Sequence, residues 1–359
     1  MEMPLGKRLR ELPGPLLLTG HTGFKGTWMT FLLEYLNVPV VGYSLPAEKD
    51  SLFDRAERTG VIPEEFSDIR DYEALERFID LHKPSTIIHM AAQPLVLKSY
   101  ESPRETFDVN VMGTVNVLDI AFKKDFVEFI IVVTTDKVYR NDSSGREFTE
   151  TDPLEGKDPY SASKVGTEAV VAAWQQIAKV SGGPKVMSVR AGNVIGGGDF
   201  AENRIIPDLI RGVITGNTVE IRNPDSTRPW EHVIEPLLGY VRILESILQG
   251  ADVTSLNFGP NDRNLSVREV VEIFRRSFSG KLSVVYSNNV IQSESKYLGL
   301  NANSAKEILN WTTTVSQEVA VRMTANWWSK FIDLDVDSKD LCLQDMEFFI
   351  PRHSARNVQ

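Results

Sequence analysis

Short apolar runs alternate along the first half of the chain with longer segments of helical period. The apolar runs predict buried strands because they are nearly continuous in hydrophobic residues: they span residues 15–19, 38–43, 85–89, 128–134 and 185–190. The intervening segments predict helices over 26–36, 72–82, 105–123 and 160–180. Strand–helix alternation of this kind predicts an α/β fold, a doubly wound parallel sheet with helices on both faces.

The pattern changes after about residue 193. Glycine and proline become frequent, as in IGGGD, RNPDSTRPW and NFGPND, and the helical segments become shorter. We therefore predict a first domain over residues 1–192 and a smaller, discontinuous lobe over 193–359. Residues 236–249 have a helical period and are expected to return to the first domain, while the tail from residue 333 is expected to pack as a peripheral element.

Composition narrows the classes of protein that the chain can represent. With 42% apolar and 25% charged residues in 359, it can bury a large core. The net charge of −10 argues against a general nucleic-acid binder. No apolar run approaches the ~20 residues of a membrane span, and the single Cys342 cannot form an internal disulfide. These features predict a cytoplasmic protein with no nucleic-acid or membrane partner.

The first predicted strand leads directly into three glycines spaced three apart. Gly20, Gly23 and Gly26 form GHTGFKG at the start of the first helix. Such a turn lets a pyrophosphate approach the backbone, where the helix N-terminus supplies N–H donors and a positive dipole end. After strand two, Ser44 stands where an acidic residue or an arginine would distinguish NAD from NADP. The residues therefore predict a dinucleotide site and leave that choice open.

Two further segments are candidates for contact with the cofactor. Asp68 and Ile69 follow a short extended segment, where a polar side chain could meet an adenine edge, although Asp68 could equally cap the next helix. Ala91 and Ala92 follow the third predicted strand, where small residues let backbone lie against a flat ring. His89 precedes them and is expected to be a satisfied buried histidine, since no second metal ligand is suitably spaced.

Tyr160 and Lys164 are the strongest indication of catalytic residues in the sequence. They are four residues apart and should share one face of a helix. An ammonium group beside the phenol oxygen would lower the pKa of the tyrosine from ~10, which makes Tyr160 a candidate general base. Thr135, Asp136 and Lys137 directly follow the fourth predicted strand, at the same edge of the sheet. A simple dehydrogenase does not need this adjacent acid and base, whereas a second proton-transfer step does.

Taken together, these residues resemble the extended branch of the short-chain dehydrogenase/reductase family, also described as NAD-dependent epimerases and dehydratases. Long strings, among them TGHTGFKGTW, HMAAQPLV, DPYSASK, RAGNVIGGGD and IRNPDSTRPWEHVIEPLLGY, resemble those of the CDP-glucose 4,6-dehydratases. The resemblance runs from about residue 16 to 311. It implies a Rossmann-type domain with a smaller nucleotide-sugar lobe, and NAD as the cofactor. It also implies that helices 105–123 and 160–180 pair between the subunits of a homodimer or a tetramer.

The resemblance also implies roles for individual residues. Its cofactor-binding positions are Gly20, Thr22, Gly23, Phe24, Lys25, Gly26, Ser44, Asp68, Ile69, Ala91, Ala92, Gln93, Asn110, Thr134, Tyr160 and Lys164. Its substrate-binding positions are Gln93, Thr135, Asn193, Arg204, Arg228 and Asn257. No metal is implied.

The implied reaction is the loss of water from a nucleotide hexose, most closely CDP-glucose. NAD⁺ takes hydride from sugar C4 while Tyr160, tuned by Lys164, accepts the hydroxyl proton and Thr135 binds the C4 oxygen. Lys137 then removes the C5 proton, Asp136 protonates the departing C6 hydroxyl, and hydride returns to C6. A lysine base must be neutral when it acts, which burial and a neighbouring cation favour.

Two of the chain's departures from this subfamily remove an expected cation. Leu97 and Gly299 stand where an arginine and a lysine are expected, so nucleotide recognition should be retuned. Three alternatives stay open at this point: a 4,6-dehydratase of another nucleotide hexose, a C4 epimerase, and a non-catalytic nucleotide sensor. The Asp136–Lys137 pair favours a dehydratase, because an epimerase has no use for a C5 base and a C6 acid.

Overall fold

A computed structural model describes residues 5–287 and 296–355 of the chain. Its strands are, in chain order, β1 (Leu16–Thr19), β2 (Val40–Ser44), β3 (Glu64–Phe66), β4 (Thr86–His89), β5 (Phe129–Val133), β6 (Lys185–Ala191), β7 (Asn193–Ile195), β8 (Val219–Ile221), β9 (Thr227–Arg228), β10 (Trp230–His232), β11 (Ser255–Phe258), β12 (Leu265–Ser266) and β13 (Val284–Tyr286).

The α-helices are α1 (Phe24–Tyr35), α2 (Leu52–Arg55), α3 (Tyr72–His82), α4 (Val96–Glu101), α5 (Pro103–Phe107), α6 (Gly113–Ala121), α7 (Pro159–Ser181), α8 (Ile205–Thr215), α9 (Ile234–Ile247), α10 (Val267–Ser277), α11 (Asn303–Leu309), α12 (Gln317–Asp333) and α13 (Ser338–Ala355). Two 3₁₀ turns, Arg8–Glu11 and Asp136–Val138, and a π-helical segment, Asp108–Met112, complete the set. Among the described helices, none is long and apolar enough to cross a membrane.

A seven-stranded parallel sheet organises the molecule, in the order β11-β6-β5-β4-β1-β2-β3. The predicted doubly wound α/β fold is therefore confirmed, and all five predicted strands are present with ends shifted by up to two residues. Two edge strands extend the sheet. The charged β3 has no apolar run to reveal it, and β11 lies in the glycine-rich region that we assigned to the lobe.

Each sheet face contributes to a separate hydrophobic cluster, as the alternation of side chains along a strand requires. Leu16 and Leu18 of β1 join the cluster that contains Trp28 of α1 and much of the lobe. Leu17 joins the cluster beneath α3 and α6 on the opposite face, together with Ile79 and Val117. The sheet is thus buried on both sides, which explains why its strands are almost uniformly apolar.

The predicted helix over 105–123 is interrupted by the π-helical segment. Asn110, in the middle of that segment, is 1% exposed and its side chain is tied to the backbone of Gln93 and to Ser163. At the following turn Gly113 lies so close to Ile69 that an added Cβ would come within 2.7 Å of its side chain. Such interruptions are common at functional sites, and no apolar period signals them.

The second half of the chain packs against the first rather than standing apart. Helix α9 contacts α1, and α13 contacts α1, α2 and α9. Phe349 of α13 stacks on the His232 ring with centroids 4.8 Å apart, so the tail is a packed element as expected. The division at residue 193 stays a prediction; residues 288–295 and 356–359 of the predicted lobe lie outside the described residues.

Candidate active site

The candidate residues gather at the carboxyl edge of the parallel sheet. Gly20 follows β1, Ala91 follows β4, Thr134 follows β5, and Asn193 begins β7 just after β6. Because parallel strands end at a common edge, this topology brings together residues far apart in sequence.

The glycine turn forms a close-packed floor with open space above it. Gly20 has a φ of +73°, and a Cβ there would lie 2.7 Å from the backbone nitrogen of Ala91. A Cβ on Gly26 would lie 2.1 Å from the Gly20 oxygen. A Cβ on Gly23 would meet only that same oxygen, at 3.5 Å, and no side chain caps α1. Gly23 therefore opens onto the exposed N–H groups of a helix N-terminus, which fits the diphosphate of a dinucleotide.

The end of β2 lies beside this turn. The hydroxyl oxygens of Thr22 and Ser44 are 2.7 Å apart, and Thr22 also donates to the carbonyl of Leu45. These contacts fix the hydroxyls at the place where the resemblance puts the cofactor. Phe24, also assigned to the cofactor, packs partly against the core.

One interpretation of the sequence made Asp68 the cap of α3, and the structure contradicts it. Asp71 caps it instead, accepting from the Ala74 backbone at 3.0 Å. Asp68 pairs with Arg70, whose Nη2 is 2.6 Å from its Oδ2, and this hydrogen bonding lowers the pKa of the carboxyl. The neighbouring Ile69 is buried. A contact of Asp68 with an adenine stays a prediction.

The segment after β4 is held rigid by amide side chains. The Gln93 amide donates to Thr106 and to the Leu95 carbonyl, and its oxygen accepts from the Leu95 backbone at 2.6 Å. Asn110 accepts from the Gln93 backbone at 2.8 Å. Both amides are engaged within the protein, so their visible role is to position the backbone after β4. The adjacent Ala91 and Ala92 stay partly exposed.

His89 is a satisfied buried histidine, as expected. Its Nδ1 is 2.7 Å from the Thr19 hydroxyl and its Nε2 is 3.1 Å from the Thr114 hydroxyl. Burial lowers the pKa of His89 to about 3. In the part of the chain that the structure describes, no group of three or more His, Cys, Asp or Glu residues could hold a metal.

The pairing of Tyr160 with Lys164 differs from the prediction. Lys164 donates to the carbonyl of Val133 at 3.0 Å rather than to the phenol. Burial raises the pKa of Tyr160 to about 12, against the opposing effects of a Thr135 hydrogen bond and the Arg204 charge. Burial also lowers the pKa of Lys164 to about 8. The expectation that Lys164 lowers the pKa of Tyr160 is thus wrong, because the ammonium bonds to the carbonyl of Val133 in β5 instead.

Thr135, Asp136 and Lys137 lie beside Tyr160. The Thr135 hydroxyl donates to Asp136 Oδ1 at 3.1 Å, and Lys137 Nζ is 6.0 Å from the centre of the Tyr160 ring. Burial raises the pKa of Asp136, although the charges of Lys137 and Arg228 oppose this effect. Lys137 is partly exposed. This arrangement places a buried carboxyl and a partly exposed lysine close to the Tyr160 ring.

The expected substrate residues divide into two groups. Asn193 is partly exposed at the start of β7, and Arg204 is about one third exposed beside Asp199. Arg228 is buried, and its charge acts on Asp136. Contact of these three residues with an anionic substrate stays a prediction.

Asn257 does not line the cleft, contrary to expectation. It is fully buried, accepts from the Tyr139 hydroxyl at 2.6 Å and donates to the Phe148 carbonyl at 2.9 Å. Its place on edge strand β11 turns the side chain into the protein. Its visible role is therefore structural.

The sequence did not predict a buried ion pair that lies beneath the site. Glu168 accepts from Arg190 through both oxygens, at 2.8 Å each, and from the Thr134 hydroxyl. Arg190 also donates to the Tyr139 hydroxyl at 2.8 Å. The network ties Thr134, assigned to the cofactor, to α7. In the sequence, this ion pair is indicated only by the position of Glu168, four residues after Lys164 on the same helical face.

Two more charged groups lie behind the glycine turn. Lys25 donates to the Tyr240 hydroxyl at 3.1 Å, and burial lowers the pKa of Lys25 to about 8. Glu231 of β10 is 1% exposed, and burial raises its pKa to about 8. Lys25 was expected to bind the cofactor, whereas no motif singled out Glu231.

Leu97 and Gly299, which depart from the subfamily, both fit their surroundings. Leu97 is 37% exposed on α4. A Cβ on Gly299 would lie 2.9 Å from Asn264 Nδ2, so a lysine there would displace that side chain.

Comparison with known proteins gives a consistent set of relatives. The model of the NAD dependent epimerase/dehydratase family matches residues 16–286. The chain is 38% identical over 305 residues to the CDP-glucose 4,6-dehydratase of Salmonella typhimurium, covering 82% of this chain and 85% of that protein. It is 26% identical to the UDP-glucuronate 4-epimerase of Thermodesulfobacterium geofontis, covering 74% and 79%.

Solved structures share the fold. The dTDP-glucose 4,6-dehydratase of Bacillus anthracis in complex with NAD superposes with a TM-score of 0.75 at 21% identity, covering 89% of this chain and 98% of that one. The UDP-glucose 4-epimerase of Thermotoga maritima with UDP-glucose gives a TM-score of 0.77 at 21% identity, covering 89% and 99%. Dehydratases and epimerases thus share this scaffold.

Proposed function

Because this chain belongs to the NAD-dependent epimerase/dehydratase family, we propose that it is a hydro-lyase that converts CDP-glucose to CDP-4-keto-6-deoxyglucose and water. The observation that carries the proposal is the buried Asp136 beside the accessible Lys137, both adjacent to Tyr160. The 38% identity to a CDP-glucose 4,6-dehydratase supports the choice of substrate.

NAD is the family's cofactor, and the residues present fit it. The floor formed by Gly20, Gly23 and Gly26 would hold its diphosphate, with Thr22 and Ser44 beside the ribose. The chemistry that bound NAD supplies is reversible hydride transfer at the sugar carbons. The chain's own residues must therefore bind the sugar and move its protons.

Three proton transfers are assigned to the site. Tyr160 accepts the C4 hydroxyl proton, and Thr135 orients the C4 oxygen. Lys137, which is partly exposed, removes the C5 proton. Asp136, whose pKa burial raises, donates a proton to the C6 hydroxyl as it leaves as water. Acid and base thus have different surroundings, which suits opposite roles.

The substrate's diphosphate is assigned to arginines. Arg204 and Arg228 both act electrostatically on the catalytic groups, Arg204 on Tyr160 and Arg228 on Asp136. A guanidinium fork suits bidentate binding of phosphate oxygens. Asn193 adds a partly exposed amide at the same edge.

Incubation of the purified protein with CDP-glucose and NAD⁺ tests the proposal. We expect product lighter by one water, with no lasting rise in NADH absorbance, because the reaction returns the electrons to the sugar. Mass spectrometry and absorbance measured on the same sample check both points. Unchanged mass with a new C4 epimer would contradict the dehydratase assignment. Water loss only from another nucleotide hexose would contradict the assignment to CDP-glucose.

We also propose that the chain forms a homodimer through residues 105–123 and α7. Phe107 of α5 and Met112 of the π-helical segment expose 40% and 49% of their surface, and Tyr100 of the neighbouring α4 exposes 49%. Apolar side chains this exposed favour burial against a second copy.

A cytoplasmic location is proposed from the single, buried and unpaired Cys342.

Light scattering tests the dimer. We expect a mass of twice the 40.3 kDa of one chain. A Phe107→Glu, Met112→Glu double variant should shift the protein toward the monomer, because two charges would be buried in the interface. The control Leu81→Glu, at a position 75% exposed on α3, should leave the mass unchanged. An unshifted double variant would place the interface elsewhere.

A further inference from the structure

The two residues assigned to elimination, Asp136 and Lys137, lie in a short 3₁₀ turn after β5. The hydrogen bonds inside this turn are long. The Val138 amide is 3.4 Å from the Thr135 carbonyl, and the Tyr139 amide is 3.4 Å from the Asp136 carbonyl. Both distances exceed the ordinary range of about 2.7–3.2 Å. The turn therefore depends on contacts outside itself to keep its side chains in place.

Both ends of this segment are tied to the same buried ion pair. At the β5 end, the Thr134 hydroxyl donates to Glu168. At the other end, Arg190 Nη1 donates to the Tyr139 hydroxyl at 2.8 Å. Glu168 and Arg190 are themselves joined by two hydrogen bonds of 2.8 Å, from Nε and from Nη2. Residues 135–137 thus lie between two ends that are fixed to one pair of side chains.

The partners of Tyr139 fix the direction of its hydrogen bonds. A guanidinium has no lone pair, so the Tyr139 hydroxyl accepts from Arg190 and donates its own hydrogen to Asn257 Oδ1, 2.6 Å away. The Asn257 amide nitrogen donates to the Phe148 carbonyl at 2.9 Å. The Tyr139 ring stacks on the Phe148 ring, with centroids 5.2 Å apart, and is 2% exposed. The side chain of Tyr139 is therefore held in one orientation.

The ion pair also reaches the helix that carries Tyr160. Glu168 lies on α7, eight residues after Tyr160, and Arg190 lies on β6, which pairs with β5. By contrast, the 2.8 Å bond from the Glu155 amide to the Val138 carbonyl joins the turn to an exposed residue of the segment before α7. The ion pair therefore relates the position of the turn to the position of Tyr160.

Burial makes this ion pair a poor means of securing stability alone. The side chains of Glu168 and Arg190 are each 5% exposed. Taking two charges out of water is costly, and apolar residues of similar volume often stabilise a fold equally well. What the pair provides, and an apolar contact would not, is a fixed distance and direction for each hydrogen bond. This property suits a role in positioning.

We propose that Tyr139 is a positioning residue for the elimination step, which holds Asp136 and Lys137 where the bound sugar presents its C6 and C5 atoms. It acts through the turn and is assigned no contact with sugar or cofactor. The inference rests on the proposed 4,6-dehydratase function. Tyr139 anchors the Lys137 end of the segment, whereas Thr134 separately anchors the β5 end, next to Thr135. Loss of the Tyr139 hydroxyl should therefore disturb elimination more than oxidation.

The variant Tyr139→Phe tests the inference, because it removes the hydroxyl and keeps the buried ring. We expect NADH to form at the wild-type rate and water loss to slow by about 10–10²-fold, since a misplacement of ~1 Å can cost that much. Stopped-flow absorbance and quenched-flow mass spectrometry should show that NADH accumulates before water is lost. An equal loss in both half-reactions, or no loss in either, would overturn the proposal.

Tyr72→Phe is the matched control. The Tyr72 hydroxyl also has two charged or polar partners, Asp119 at 2.7 Å and Lys123 at 2.9 Å. Tyr72 begins α3, and its partners lie outside the network around Tyr139. Its replacement removes the same atom and should leave both half-reactions unchanged.

A second variant tests whether Tyr139 acts through the ion pair. Arg190→Lys keeps a positive charge beside Glu168 but lacks the fork that also reaches Tyr139. It should slow elimination, and combining it with Tyr139→Phe should slow elimination little further, because both changes remove the same contact. Fully additive losses would show two independent effects and would contradict the inference.

Hydrogen exchange gives a readout that needs no substrate. The amides of residues 134–139 should exchange faster in Tyr139→Phe than in the wild type, while Tyr72→Phe should leave them unchanged. Mass spectrometry of peptides that cover this segment checks the expectation, and unchanged exchange in Tyr139→Phe would overturn the inference. Failure of the wild-type protein to dehydrate CDP-glucose would instead overturn the proposed function, and the exchange result would still test the anchoring of the turn.

Discussion

Tyr160→Phe is expected to lower turnover of CDP-glucose by about 10²–10⁴-fold. The phenolate of Tyr160 is the proposed acceptor of the C4 hydroxyl proton, and without it the first oxidation cannot proceed at a useful rate. Tyr160 is buried beside Thr135, which leaves no bulk water to replace it. Stopped-flow absorbance should therefore show no early NADH, and mass spectrometry should recover intact substrate.

The variant Tyr35→Phe controls for the loss of a hydroxyl. Tyr35 ends α1 and is 38% exposed, away from the carboxyl edge of the sheet, and its replacement should leave turnover unchanged. Rapid NADH formation by Tyr160→Phe would contradict the assignment, since it would show that another group takes the first proton.

The sequence was sufficient to predict the sheet, because buried parallel strands leave nearly continuous apolar runs. Strands at the edges are harder to predict. The strand β3 reads EEF and pairs on one side only, while β11 follows a long excursion of the chain before it joins β6. Their positions depend on pairing with distant strands rather than on local pattern. The π-helical segment at Asp108–Met112 likewise depends on what Asn110 bonds to across the fold.

The location of the candidate site was also predictable, but not the partners of its side chains. Topology places Gly20, Thr135 and Tyr160 at one edge, whereas hydrogen-bond competition decides what each group bonds to. Lys164 bonds to the Val133 carbonyl and Asn257 to Tyr139, and no spacing in the sequence contains that information.

Several polar residues expected to bind ligands also hold the site in shape. The amides of Gln93 and Asn110 fix the segment after β4, and the Glu168–Arg190 pair anchors Thr134 at the end of β5. Catalysis by positioned acids and bases requires rigid support of this kind. A family motif can therefore include residues that support the site as well as residues that react in it.

Lys137→Met is expected to separate the two halves of the reaction. Methionine approximates the length of lysine without its amine, so C4 oxidation, in which Tyr160 takes the hydroxyl proton, should continue while removal of the C5 proton should slow by about 10²–10⁴-fold. Lys137 Nζ lies 6.0 Å from the Tyr160 ring centre, so we expect it to serve the neighbouring sugar carbon without taking part in the first proton transfer. The absorbance of NADH should therefore rise and persist, with little loss of water from the substrate.

Lys306→Met provides the matched control, because Lys306 is an exposed lysine on α11 and its loss should leave both signals unchanged. Normal water loss by Lys137→Met would exclude the amine as the C5 base. Loss of both NADH formation and water loss would show instead that Lys137 is required for oxidation or binding. Persistent NADH in Lys137→Met, set against its absence in Tyr160→Phe, would assign the base of elimination and the base of oxidation to two different residues of one site.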